Sequence, residues 1–311
     1  MLKAYAVFQG GGVKAIGFVG AITKFEQMGY KWEKLAGTSA GAIIASLLAV
    51  GYTSKELKNV MSTLDYTRFL DKNRLQSIPI IGKVLGIVAQ KGLYQGSYIE
   101  IWMDELLKAK GKTKFKDVSK NGVSNLKIIA SDITKKSILI LPDDLTKYGI
   151  DPMEFEIAKA VRMSTSIPFY FKPEKLRYRD KYSFIVDGGI LSNFPVWIFD
   201  VTGVPKLPTF GFKFQKVSKS CSEKERNDFL CFVMDLVESV IDNYDETYLT
   251  DKDRVRTISI PTADVKTTDF DITRGKGLKL FDLGYESAER FLSEWDFREY
   301  IRCYVQKKVS I

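Results

Sequence analysis

The sequence predicts an α/β fold with a mostly parallel central sheet covered by helices. The main observation is that short β-like runs alternate with amphipathic stretches along most of the chain. Glycines at positions 29 and 51 follow the first two helical stretches, where helix C-caps are expected. With 311 residues, 45% of them hydrophobic and 27% charged, the chain can bury a sizeable core. Because no repeat or linker is visible, we expect a single domain, residues 1–311.

The predicted elements follow from these patterns in chain order. Strands are expected at 4–8, 34–37, 126–133, 137–142, 183–187, 209–214 and 256–260. Helical patterns precede Gly29 and Gly51 and fill residues 223–246, and capping boxes are predicted at TSKE, residues 53–56, and SYIE, residues 97–100. Residues 65–96, rich in glycine and isolated apolar residues, predict an insertion or flap.

Composition excludes several classes of protein. The chain contains no histidine, which removes the Ser-His-Asp triad, most zinc sites and the usual base at neutral pH. Its three cysteines form no CxxC pair, so neither a disulfide framework nor a metal site is predicted, and a reducing compartment fits. The net charge of +9 favours anionic partners, but the basic residues are scattered, and we predict no nucleic-acid polymer as partner.

From the sequence we expect neither a secretion signal nor a membrane span. Its first strand is expected from residue 4, which leaves no room for a signal peptide, so we predict a cytoplasmic protein. The longest apolar run, IPIIGKVLGIV at residues 78–88, is too short to span a bilayer and contains Lys83. We expect this run to dock reversibly on an anionic membrane surface; the alternative is an ordinary buried helix or loop.

The stretch VFQGGGVKAIG, residues 7–17, is an apolar run that breaks into three glycines and resumes as a helical pattern. Free backbone N–H groups beside a helix N-terminus attract negative charge. A phosphate, a dinucleotide and a reaction oxyanion all fit such a loop.

The stretch GTSAG matches the G-x-S-x-G pattern between a predicted strand and a predicted helix. In that context Ser39 would project from a sharp turn, which needs the small residues Gly37 and Gly41 on either side. The pattern thus indicates a serine nucleophile, and the alternative is a tight turn with an N-cap serine.

A candidate base follows the predicted strand at 183–187. Asp187 stands at the end of this strand, before two glycines. Because residues just past strand ends converge on one crevice of an open α/β sheet, Ser39, Asp187 and the glycine loop are expected to meet there. A base role requires the pKa of Asp187 to be raised towards neutrality, which a dry site would do. The alternative is a plain D-G turn.

A dinucleotide site is the rival interpretation of the glycine loop. Gly10-x-Gly12-x-x-Ala15 fits the G-x-G-x-x-[GA] fingerprint, and Glu33 lies near the distance expected for the acid that binds the ribose. That acid belongs at the end of the second strand, however, and Glu33 precedes the predicted strand.

The three motifs GGGVKAIG, GTSAG and DGG, in this order, resemble the patatin-like phospholipase family. The likeness extends to KGLYQGSYIEIWM, IAKAVRMSTSIPFYFKP, NFPV and LGYESAERFL, and departs from the family pattern at Ala15 and in SNFP. The resemblance implies a three-layer α/β/α fold and a phospholipase A-type lipid acyl hydrolase with a histidine-free dyad. It implies these roles: nucleophile Ser39, base Asp187, oxyanion hole Gly10, Gly11, Gly12 and Val13, and supporting residues Lys14, Gly37, Gly41 and Gly188.

The resemblance also implies which cofactors and partners to expect. No metal or cofactor is expected, and the partners are a phospholipid or other acyl-lipid substrate and an anionic membrane surface to which the protein binds peripherally. Some bacterial members are switched on by a nucleotide second messenger, which makes such an activator a further expected partner. Arg162 is expected to support the site without acting in catalysis. The remaining alternative is a catalytically silent scaffold that keeps the fold.

Overall fold

The computed structural model describes residues 1–71, 91–215, 236–237, 239 and 250–306. The strands are β1 Leu2–Phe8, β2 Tyr30–Thr38, β3 Gly92–Tyr94, β4 Ser119–Lys120, β5 Val123–Ser124, β6 Leu126–Asp132, β7 Ser137–Leu141, β8 Phe169–Phe171, β9 Glu174–Tyr178, β10 Lys181–Asp187, β11 Thr209–Phe214 and β12 Thr257–Ile260. The α-helices are α1 Ile16–Gln27, α2 Ala40–Val50, α3 Ser54–Thr63, α4 Ser97–Ala109, α5 Ile157–Ser164, α6 Asp251–Arg254, α7 Arg274–Glu294 and α8 Phe297–Gln306.

Eight of these strands form the central sheet, in the order β12-β11-β1-β2-β6-β10-β9, with β7 paired to β6 as well. Neighbours from β12 to β6 run parallel. By contrast, β7 and β10 pair with β6, and β9 with β10, in the antiparallel sense. The sheet is therefore mostly parallel, and the predicted α/β class is confirmed.

The two faces of the sheet are covered differently. On one face, Phe8 of β1 packs against Phe18 of α1 with ring centroids 5.6 Å apart, and α2 and α5 lie on the same side. On the other face, Val7 and Ala36 pack against Phe199 of a 3₁₀ helix, Val196–Phe199. Because both faces are buried at β1, the end of this strand reads as a continuous apolar run instead of an alternating one.

Helices α1 and α7 touch along a seam of glycines. A Cβ placed on Gly20 would lie 1.9 Å from the carbonyl oxygen of Phe281, and one on Gly284 would lie 1.9 Å from that of Gly17. No side chain fits at such a distance, so the glycines let the two helix backbones meet. This contact joins α7 to the helix that follows the glycine loop.

The predicted strands are present with boundaries that differ by a few residues, and the capping box at Thr53 and Glu56 is confirmed. The capping box at residues 97–100 is wrong: Gly96 is the N-cap of α4, and the carboxylate of Asp71 accepts the N–H groups of Gly96 and Tyr98. An acid distant in sequence thus replaces the local cap. The short strands β3, β4, β5 and β8, and strand β9 of the central sheet, were not predicted.

Three expectations fall partly or wholly outside the described residues. These are the docking run at residues 78–88, most of the helix at 223–246, and the middle of the flap at 65–96. The described ends of that flap form a 3₁₀ helix, Tyr66–Phe69, and strand β3. Within the described part of the chain, none of the helices has the length and apolar character that crossing a membrane requires.

Candidate active site

Ser39 occupies the sharp turn between β2 and α2. Its φ of 52° and ψ of −124° lie in a region that a non-glycine residue seldom adopts. Such strain at a strand-to-helix turn is typical of a nucleophile elbow, where it exposes the serine hydroxyl at the helix N-terminus. The side chain is buried, with 7% of the residue exposed.

The glycines on either side of Ser39 allow this turn. A Cβ on Gly37 would lie 2.2 Å from the carbonyl oxygen of Gly41, and a Cβ on Gly41 would lie 2.4 Å from that of Phe8. Both distances join the added atom to backbone, which cannot move aside as the end of a flexible side chain can. The two glycines of the motif are therefore required by the close approach of α2 to β1 and β2.

Asp187 reaches Ser39 because two strands end against each other along β6. Thr38, the last residue of β2, pairs with Ile129, and Asp187, the last residue of β10, pairs with Ala130. Strand β2 runs parallel to β6 and β10 antiparallel to it, while β7 occupies the opposite side of β6. The carboxyl ends of β2 and β10 therefore face each other, which brings the serine and the aspartate together.

The carboxyl group of Asp187 is almost fully buried, with 2% of the residue exposed. Burial raises its pKa to about 6, although the Ser39 hydroxyl and the N–H of Gly189 each favour the carboxylate and lower the pKa. Oδ1 accepts the Gly189 N–H at 2.8 Å, whereas Oδ2 has no hydrogen bond of ordinary geometry to a described residue. One carboxylate oxygen beside Ser39 is thus available to accept a proton.

The segment that ends α5 holds both residues in place. The hydroxyl of Ser164 accepts the Ser39 N–H at 2.8 Å and donates to the carbonyl of Ile129 at 2.5 Å. Two residues later, the carbonyl of Ser166 accepts the Asp187 N–H at 2.9 Å. One short turn therefore fixes the backbone of both Ser39 and Asp187.

Arg162 stabilises the turn that ends α5. Its buried guanidinium donates to the Ser166 hydroxyl at 2.6 Å and to the carbonyl of Lys172 at 2.7 Å, and Glu174 lies 3.7 Å away. Arg162 thus contacts the site indirectly, through Ser166 and through the ring of Phe171.

The glycine loop lies against Ser39. A Cβ on Gly10 would come within 3.2 Å of the Ser39 Cβ and 2.2 Å of Oδ1 of Asn193, and Gly12 has a φ of +55°. The loop is therefore packed closely enough that its backbone, and no side chain, faces the serine. Lys14 follows the loop, with its Nζ 5.3 Å from the ring centroid of Phe214.

The hydrogen bonds of the loop show which backbone N–H groups of the predicted oxyanion hole already have an acceptor. The N–H of Gly10 donates to the carbonyl of Asn193 at 3.1 Å, and that of Val13 donates to the carbonyl of Thr267 at 3.3 Å. The N–H groups of Gly11 and Gly12 donate to no described residue. Of the four residues predicted to form the hole, Gly11 and Gly12 therefore have a backbone N–H that is available to a substrate oxyanion.

An apolar pocket extends from Ser39 and Gly12. Its walls include Ile43, Met61, Phe69, Trp102, Ile167 and Phe171. A long hydrocarbon chain suits such walls, because they offer burial of apolar surface and few polar partners.

Glu33, on which the dinucleotide interpretation depends, is not at the site. Its carboxylate lies 2.8 Å from Nζ of Lys3, near the amino ends of β1 and β2. The residue that ends β2 is Thr38. The acid is therefore at the wrong end of the strand to meet a ribose at the glycine loop.

Several residues of the site were not predicted as such. Ser164 binds the Ser39 N–H, and the carbonyls of Asn193 and Thr267 bind the loop, all through long-range hydrogen bonds, which carry no local sequence signal. The polar run RMSTSIP, residues 162–168, was the sequence signal that pointed to Ser164. In the described part of the chain, no group of three or more acidic or cysteine side chains could hold a metal ion.

Comparison with known proteins shows the family to which the chain is similar. The family described as patatin-like phospholipase matches residues 6–200. The protein YqhO of Bacillus subtilis is 40% identical over 293 residues, which cover 94% of this chain and 98% of that protein. The probable lipid hydrolase 463L of Invertebrate iridescent virus 6 is 27% identical over 192 residues, 61% of each protein.

Solved structures share the fold at lower identity. VipD from Legionella pneumophila superposes with a TM-score of 0.56 at 19% identity, covering 93% of this chain and 66% of VipD. ExoU in its complex with SpcU from Pseudomonas aeruginosa gives a TM-score of 0.52 at 16% identity, covering 96% of this chain and 52% of that one. This chain thus spans about half to two thirds of these structures, and the likeness concerns the fold.

Proposed function

Because the chain belongs to the patatin-like phospholipase family, we propose that it is a lipid acyl hydrolase that cleaves carboxylic esters of phospholipids or other acyl lipids through a Ser39–Asp187 dyad. One observation carries this proposal: a strained serine lies beside a buried aspartate at the mouth of an apolar pocket. A lipid hydrolase is also what the name of the viral relative states.

In the first half of the reaction, the Asp187 carboxylate takes the hydroxyl proton of Ser39, and the serine oxygen attacks the ester carbonyl carbon. The carbonyl oxygen becomes an oxyanion that the free N–H groups of Gly11 and Gly12 face. Loss of one such donor typically costs about 3 kcal/mol of transition-state stabilisation. The tetrahedral intermediate then collapses, and the alcohol portion of the lipid leaves with the proton held by Asp187.

In the second half, Asp187 takes a proton from water, and the resulting hydroxide attacks the acyl-Ser39 ester. The same N–H groups stabilise the second oxyanion. Collapse releases the fatty acid and returns the proton to Ser39. A carboxylate suffices as base here because its pKa is raised to about 6, close to the pH at which it must exchange protons.

The elbow, the aspartate and the loop divide the chemistry among separate parts of the chain. Ser164 and Ser166 bind the backbone N–H groups of Ser39 and Asp187 and so hold both residues in place, which lowers the entropy lost on the way to the transition state. The apolar pocket takes the acyl chain.

A fluorophosphonate probe tests the proposal directly, because only an activated serine reacts rapidly. We expect labelling of the wild-type protein at Ser39, none in Ser39→Ala, and release of fatty acid from phospholipid vesicles by the wild type alone. Absence of both labelling and release would instead favour a silent scaffold.

A further inference from the structure

The β9–β10 hairpin and the turn between β6 and β7 form a projection above the active site. Its residues are 133–136 and 177–182, and we call it the crown. Strand β10 runs from the crown down to Asp187, and β6 ends beneath it at Asp132, paired with Ile185. The carboxyl ends of β1 and β2, where the glycine loop and Ser39 lie, point to the same side of the sheet.

The height of the crown follows from the register. Lys181 is six positions before Asp187 in the same strand. At about 3.3 Å per residue, the hairpin tip stands roughly 20 Å beyond the carboxylate, along the strand axis. The crown is thus the part of this edge that first meets a surface approaching the active site from that direction.

The crown is strongly basic, and its cations form no ion pair with the residues that the structure describes. All of its residues are exposed, and it carries one acid, Asp180, against five cations: Lys135, Lys136, Arg177, Arg179 and Lys181. None of these cations forms an ion pair within 4.0 Å among the residues that the structure describes. Some exposed lysines elsewhere in the protein do form such pairs, for example Lys108 with Asp104 and Lys116 with Glu154.

Large apolar and aromatic side chains stand among these charges. Ile133 is 46% exposed, Tyr178 41% and Tyr182 50%. Tyr182 lies opposite Arg177 across the hairpin, and Arg179 lies over the Tyr178 ring, 5.2 Å from its centroid. Tyrosines mixed with lysine and arginine are typical of a membrane interface, where the rings lie at headgroup level and the cations meet lipid phosphates.

We propose that the crown docks this protein on an anionic lipid surface and so presents the edge that holds Ser39 to its substrate. The proposal rests on the proposed function for the choice of lipid as partner. Protection of an exposed sheet edge would explain cations on the edge strand β9. It does not explain Lys135 and Lys136, which lie in the neighbouring turn and add to the same charged surface.

The test compares two triple variants that lose the same charge. The crown variant carries Arg177→Gln, Arg179→Asn and Lys181→Gln; asparagine is chosen because Arg179 has a φ of 53°. The control variant carries Lys31→Gln, Lys120→Gln and Lys206→Gln. These lysines are also exposed and without an ion pair to a described residue, but they lie by the amino ends of β2, β6 and β11.

Binding is measured by co-sedimentation with vesicles of phosphatidylglycerol and phosphatidylcholine, in proteins that also carry Ser39→Ala so that the lipid stays intact. Each basic residue near an anionic surface contributes about 1 kcal/mol, or a factor of about five. We therefore expect the crown variant to bind roughly 100-fold more weakly, and the control variant to bind like the parent. With Ser39 restored, the crown variant should hydrolyse a soluble short-chain ester at the wild-type rate.

Unchanged vesicle binding by the crown variant, or an equal loss in both variants, would overturn the proposal. So would crown-dependent binding of single-stranded RNA by a protein that ignores the vesicles. If the wild type cleaves no ester at all, the proposed function fails, while the binding comparison still decides whether the crown is a lipid surface.

Discussion

Ser39 and Asp187 lie side by side, yet the chain holds them there in different ways. The serine is placed locally, by a strained turn with a φ of 52° and by glycines that admit helix α2. The aspartate is placed by a distant antiparallel strand, has an ordinary φ of −50°, and is buried so that its pKa rises to about 6. Placing the serine therefore costs free energy of folding through backbone strain and close packing. Placing the aspartate costs it through burial of a charge.

This contrast predicts opposite effects of one substitution on activity and stability. We expect Asp187→Asn to reduce turnover by about 10⁴-fold, as loss of a member of a catalytic group typically does. The unfolded pKa is about 3.9, and the folded protein binds this proton more tightly. Wild-type stability therefore falls as pH rises from about 4 through 6, by up to about 3 kcal/mol. The variant should escape this loss and be more stable than wild type at pH 8.

Urea unfolding at pH 4 and pH 8 measures the difference. Ser39→Ala is the control, since it should lose similar activity while its stability keeps the pH dependence of the wild type. An Asp187→Asn protein less stable than wild type at pH 8 would contradict the electrostatic account.

The second prediction concerns the pH dependence of turnover. Because the base must be ionised, kcat/KM for a soluble ester should fall about tenfold per pH unit below the pKa of Asp187, about 6. Between pH 6, where half of the carboxyl groups are ionised, and pH 4 the loss approaches about 50-fold. The chain has no histidine to which this inflection could belong. A rate that stays level down to pH 4 would show that the carboxyl group is not buried during catalysis.

The third prediction tests the steric side. Gly41 and Gly275 are each the second residue of a helix, α2 and α7. A Cβ on Gly41 would meet backbone at 2.4 Å, whereas one on Gly275 meets nothing within 4 Å. We expect Gly41→Ala to destabilise the protein by about 2 kcal/mol and to reduce activity. Gly275→Ala should stabilise it by about 0.5 kcal/mol. Thermal unfolding compares the two, and equal effects would refute the role assigned to Gly41.

The difference between local and distant placement also decides how much of the site can be predicted from the sequence. The elbow at Ser39 and the glycine loop could be predicted because their signals are local: a strand, small residues and a helix within a few positions. The nearness of Asp187 was predicted from converging strand ends, but the structure reaches it through an antiparallel strand that meets β2 end to end. Strand pairing of that kind is set by tertiary contacts that no short window contains.

Other features escaped for related physical reasons. Strand β9 has the sequence EKLRY, in which only Leu176 is buried, so it lacks the alternation that predicts a strand. The cap of α4 comes from Asp71, far away in sequence, and the Ser39 N–H is bound by Ser164. Each of these is a single long-range hydrogen bond, which leaves no periodic trace in the chain.

The glycine seam between α1 and α7 also bears on how this chain can change during evolution. The match to the family model ends at residue 200, yet β11 pairs with β1, and α7 packs on α1 through Gly20 and Gly284. A protein cut after that boundary would keep its serine and aspartate but leave β1 with an unpaired edge, open to aggregation. Recombination at this point would therefore succeed only when the incoming segment supplies both a matching strand and a helix with glycine at the crossing.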